Sequence, residues 1–155
     1  MRGIAARMGE WDRAIVAWMR RWGPRLARVS LALVFIWFGA LKPLGLSEAN
    51  ELVARTVYWF DPGWFIPVLG AWEVAIGVCM LVPGLTRVAI GLLLLQMPGT
   101  FLPLVLRPGE CWIEPPLVPT LAGQYIIKNI VLISAALVVG GTARGPGTGT
   151  TRGAG

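Results

Sequence analysis

Two ionisable side chains and two amides stand inside long apolar stretches of this chain: Glu73, Lys128, Gln96 and Gln124. An ionisable group within a membrane span costs about 2.5–3.5 kcal/mol on insertion scales, so each is a functional candidate by default. Glu73 lies eight residues into its stretch, ~12 Å below the outer end at a rise of about 1.5 Å per residue, and Lys128 lies a similar distance into the last stretch. Opposite charges at matched depth are expected to pair. Gln124 precedes Lys128 by one turn on the same helix face, and Gln96 lies ~16 Å below the outer end of the third stretch. Such a cluster can exchange protons or hydrogen bonds with a polar headgroup dissolved in the bilayer. It can equally fix helix register without doing chemistry. Gly70 and Gly77, at i−3 and i+4 from Glu73, let a neighbouring helix approach that face. Lys42 closes the first stretch and is expected to snorkel to the interface. Pro98-Gly99 should kink the third helix, with Thr100 serving a carbonyl that the proline frees.

Other chemistries are excluded by composition. There is no histidine, hence no bis-His haem, no His-based metal site and no Ser-His or Cys-His pair. Cys79 and Cys111 lie far apart, and neither belongs to a Cys-x-x-Cys pair. No metal site and no cofactor site of the chain's own is expected. Cys79 reads as a small buried apolar residue and Cys111 as a possible exposed thiol in a loop.

Four elements must position these groups. The chain has 155 residues, of which 55% are hydrophobic and only 14% charged, against about a quarter charged in soluble domains. A helix needs roughly 20 mostly apolar residues to cross ~30 Å of hydrocarbon. Segments 26–44, 64–82, 86–106 and 119–140 qualify, with a tight turn at 82–86 making the second and third antiparallel neighbours. The fold class is therefore an all-α membrane protein, a four-transmembrane-helix bundle over residues 26–140. Arg2, Arg7, Arg13, Arg20, Arg21, Arg25 and Arg28 precede the first span, whereas Glu48, Glu51, Arg55, Asp61, Arg107, Glu110 and Glu114 populate the opposite side. The positive-inside rule then places both termini in the cytoplasm; a bacterial inner membrane is the expected location, which charge alone does not give. No signal peptide is expected, because the basic lead-in is long and no cleavage site follows the apolar run.

Residues 1–25 form a basic, amphipathic segment. Ile4, Met8, Trp11, Ile15, Trp18 and Trp22 recur at spacings of four and three, predicting a separate helix over 4–22. It suits the cytoplasmic interface and its anionic lipids, or a partner subunit, rather than nucleic acid. Ser47 is a candidate N-cap for a surface helix in the first outer loop, with Tyr58, Trp59 and Trp64 at headgroup level. The second outer loop, 107–120, reads as irregular, and residues 141–155 as a flexible Gly/Thr-rich cytoplasmic tail.

Three segments resemble a known family. The run ARVSLALVFIWFGALK (27–42) is similar to the opening helix of the DoxX-like membrane proteins, in the subgroup related to the reactive-chlorine resistance membrane protein. GAWEVAIG (70–77) is similar to their Glu-containing second helix, and AGQYIIKNIVLISAAL (122–137) to their fourth. The resemblance marks Trp37, Gly39, Lys42, Glu73, Gly77, Gly123, Gln124 and Lys128 as family-pattern positions. The outer loop after the first span is short for that subgroup. What the resemblance implies is redox work at the membrane, beside another membrane or peripheral subunit, with a quinone as the possible ligand. Three functions follow: a redox-associated, quinone-interacting subunit; a purely structural accessory subunit of a larger complex; and a small transporter, which one buried charge pair serves least well.

Overall fold

A computed structural model describes residues 2–82 and 84–143, with side chains from residue 10 onward. The elements in chain order are α1 (Arg2–Leu41), α2 (Ala49–Thr56), α3 (Pro62–Leu81), α4 (Thr86–Phe101), α5 (Pro103–Leu106), α6 (Pro108–Cys111), β1 (Trp112–Glu114), β2 (Val118–Pro119), α7 (Leu121–Ile127) and α8 (Asn129–Thr142). Four helical stretches are long and apolar enough to cross a membrane: Glu10–Leu41, Pro62–Leu81, Thr86–Leu106 and Leu121–Thr142. They pack in a ring, α1 against α3 and α8, and α4 against the same two, so that α3 and α8 stand at diagonal corners. One end of the bundle carries the 82–86 turn, and the other carries both long loops. These are called the turn end and the loop end.

Each boundary has a local cause. Asp61 caps α3 by accepting from the Gly63 N–H at 2.8 Å, and Pro62 occupies the first helical position. Gly84, at φ 91, makes the turn into α4. α4 continues through Pro98 and is interrupted at Leu102 instead. Pro103 has no N–H to give the Gly99 carbonyl, and the Leu102 N–H takes that carbonyl at 3.3 Å. The Thr100 hydroxyl reaches the Gln96 carbonyl at 3.4 Å, not that of Leu94, whose usual donor Pro98 removes. Thr120 caps α7 by accepting from the Gly123 N–H at 3.2 Å. The fourth crossing breaks at Lys128, where the Asn129 amide donates to the Tyr125 and Ile126 carbonyls at 3.2 and 2.9 Å.

Several expectations are corrected. Residues 4–22 are not a separate element: α1 runs unbroken for 40 residues, through Pro24. Trp11, Ile15, Trp18 and Trp22 are exposed along its first half, while the side chains of Ile4 and Met8 fall outside the described residues. Glu48, not Ser47, holds the N-cap position of α2, without a side-chain bond. The 107–120 loop is ordered by α6 and a β1–β2 antiparallel hairpin. Helix α8 runs on to Thr142, two residues past the expected span; the rest of the predicted tail, from 144, lies outside the described residues.

The tightest seam is α1 on α3. A Cβ added at Gly39 would lie 2.7 Å from the Gly70 carbonyl and 2.9 Å from the Val74 nitrogen; one at Gly77 would lie 2.7 Å from the Ala32 carbonyl. Small residues let the two backbones touch, and close dispersion contact is what holds helices together in lipid. The core between the helices, built on Leu31, Phe35, Ile76, Met80, Leu93 and Met97, leans on that seam. At the turn end the Arg28 guanidinium, from α1, donates to the Met80 and Leu81 carbonyls and so closes the C-terminus of α3. At the loop end the Arg107 guanidinium donates to the Arg55 carbonyl, tying the second loop to α2. The Arg55 side chain in turn meets Glu51, and Glu110 at 3.6 Å.

Candidate intramembrane polar site

The glycine seam decides which charges meet. Gly39 and Gly70 bring α1 and α3 together one turn from Lys42 and Glu73, so the Lys42 side chain turns into the bundle. Its Nζ lies 2.5 Å from Glu73 Oε2, with Lys42 8% and Glu73 9% exposed. Snorkelling outward, as expected for Lys42, would leave the Glu73 carboxylate unpaired. The ammonium goes to the carboxylate instead. From the other side α4 supplies Gln96, whose Nε2 donates to Glu73 Oε1 at 2.7 Å. Three helices thus converge on one carboxylate, and each of its oxygens has a donor.

Two acceptors near this cluster are buried with no partner among the described residues, Gln96 Oε1 and Asn50 Oδ1. Asn50 stands at the start of α2 and donates through Nδ2 to the Lys42 carbonyl at 3.1 Å. A buried carbonyl oxygen with no donor costs about 1–3 kcal/mol. Both oxygens are suited to a hydroxyl or water that can donate to them.

Lys128 and Gln124 are not part of this site. Both are exposed on the outer face of the fourth crossing, and the Lys128 ammonium sits over the Tyr125 ring, 3.6 Å from its centroid. The expected Glu73–Lys128 pair is therefore replaced by Glu73–Lys42. Depth along a span says nothing about which face a side chain occupies, and the helices of Glu73 and Lys128 are diagonal. The signal that could have found the true partner is spacing. Ala32 and Gly39 on α1, like Gly70 and Gly77 on α3, are small residues seven apart, the pattern of two helices in close contact.

The remaining positions sort clearly. Gly123 packs against the Cys111 carbonyl, where a side chain would collide. Trp37 points away from the bundle at 60% exposure. Cys111 is not an exposed thiol: it is fully buried, and burial, helped by Glu110, pushes its pKa up. Among the described residues no group of three or more His, Cys, Asp or Glu is placed to hold a metal ion.

Compared with family models, curated proteins and solved structures, the chain matches none.

Proposed function

We propose that this chain is an accessory membrane subunit that works beside a partner, in the redox setting that its resemblance to the DoxX-like proteins implies. The observation that carries this is the outward position of Lys128 and Gln124. A cation and an amide lie partway along the fourth crossing, on a surface that would otherwise meet lipid. Polar groups at such a depth are costly against hydrocarbon and are characteristically turned toward protein. The exposed aromatic first half of α1 offers a second surface for the same partner or for the membrane interface.

The test is co-purification from the native membrane in mild detergent. The wild-type chain should emerge with other chains, and Lys128→Leu combined with Gln124→Leu should release them while the bundle keeps its helical signal. A wild-type chain that runs as a lone protomer, with the double variant indistinguishable from it, would sink the proposal.

A second reading is favoured by the unpartnered Gln96 oxygen beside Glu73. The hydroxyl of a lipophilic quinol could donate a hydrogen bond to that oxygen, and as the partner removes the electrons that oxidise the quinol, Glu73 would accept a released proton. Gln96→Leu should then abolish quinol retention by the purified protein without unfolding it. Unchanged retention would remove this reading and leave the subunit role untouched.

A further inference from the structure

We propose that the cleft where α1, α4 and α8 meet, at the turn end, binds a phosphate-bearing anion, with an anionic phospholipid headgroup as its source. Arg20, Arg21, Arg25 and Arg28 line it from α1, facing Thr86 at the start of α4 and Thr142 at the end of α8. No carboxylate lines the cleft, and among the described residues none of these arginines takes part in an ion pair. Arg28 is held by the α3 carbonyls and Arg25 lies over the Trp22 ring at 5.4 Å, so two of the four guanidiniums are already oriented. Guanidinium forks match phosphate oxygens two at a time.

One helix end at the cleft favours an anion, the start of α4, and the negative end of α8 opposite it is partly closed. Leu85 gives α4 no side-chain cap, and the start of a helix, here beside Thr86, favours negative charge. The opposing end of α8 is closed on itself: the Thr142 hydroxyl donates to the Val139 carbonyl at 2.8 Å, and the Ala143 N–H to Gly140 at 3.1 Å. Depth points to a lipid, a step that rests on the chain being membrane-embedded. Arg28 sits level with the last carbonyls of α3, and Arg25 and Arg21 follow about one and two turns further out, ~5 and ~10 Å. That is where phosphates lie beyond the hydrocarbon.

The test uses the full chain, delipidated in detergent and titrated with phosphatidylglycerol or phosphatidylcholine under native mass spectrometry. Arg21→Gln with Arg25→Gln removes two charges from the cleft, and Arg13→Gln with Arg87→Gln removes two from outside it. Arg28 is left intact because it also closes α3. Phosphatidylglycerol should be retained in preference to phosphatidylcholine, and the cleft variant should hold it about thirty-fold more weakly, the control variant less than about threefold. Equal losses in the two variants, or no preference between lipids, would overturn the site. Displacement of the lipid by millimolar inorganic phosphate, with the same dependence on Arg21 and Arg25, would overturn the lipid as occupant and make a soluble phosphate the ligand. Far-ultraviolet circular dichroism of both variants separates these results from misfolding. None of them depends on a partner subunit.

Discussion

Lys42 reaches the core from just past the end of α1, a position from which water is the easier destination. Its ammonium stays because Glu73 would otherwise be buried alone, and a lone buried charge is far more costly than a paired one. Lys42→Met or Glu73→Leu alone should each destabilise the bundle by about 3–5 kcal/mol, and the double variant by clearly less than the sum of the two. Unfolding in detergent with added denaturant measures all three. Additive losses would show that the two groups do not act as a pair. Cys111 gives a second residue-level expectation. Burial raises its thiol pKa, so the folded state favours the neutral form, and the unfolded thiol ionises first as pH rises. This contribution is intact below the ordinary thiol range and is lost as pH climbs through and above it. A Cys111→Ala variant should show a smaller fall in stability across that alkaline window than the wild type. In the wild type, Cys111 should resist maleimide until the protein unfolds.

The helices test the seam. Gly77→Leu forces a branched side chain against the Ala32 carbonyl and Ile36, and should separate α1 from α3 with a large drop in thermal midpoint. Gly91→Ala is the control, since nothing lies within 4 Å of the added methyl, and it should be neutral or slightly stabilising through helix propensity. Equal losses at the two sites would mean that the seam is not a close contact. The four crossings are legible in the sequence because hydropathy and length are local properties. The site was half legible. Glu73 and Gln96 were found from their cost in an apolar run, whereas their partner depended on which faces turn together, and helical depth carries no information on that. Cys111 was misplaced for a related reason. A proline-rich loop reads as open, but Thr120 donates its hydroxyl to the Glu110 carbonyl at 2.7 Å, β1 pairs with β2, and Cys111 is buried.

At the scale of the whole molecule the basic N-terminal half of α1 and the mixed-sign loops lie at opposite ends of the bundle, which is the charge asymmetry that sets orientation. Asp12→Cys and Leu117→Cys report on the two ends, Leu117 being 83% exposed at the hairpin tip. In intact cells a membrane-impermeant maleimide should label Leu117→Cys at once and Asp12→Cys only after permeabilisation. The reverse pattern would invert the topology.

The unbroken α1 has a mechanical consequence. At about 1.5 Å per residue its 40 residues form a rod ~60 Å long, twice the hydrocarbon thickness, with Trp11, Trp18 and Trp22 exposed along one half and Lys42 just past the far end. A rod transmits a push only as well as its weakest joint. That joint is Gly23-Pro24, where the proline withholds an N–H from the Arg20 carbonyl and the glycine has nothing packed on it. Arg20 and Arg21 lie on one side of the joint, Arg25 and Arg28 on the other. An anion gripped by all four would act as a splint, stiffening the lever between the aromatic half and the buried ion pair, and its release would let that lever flex.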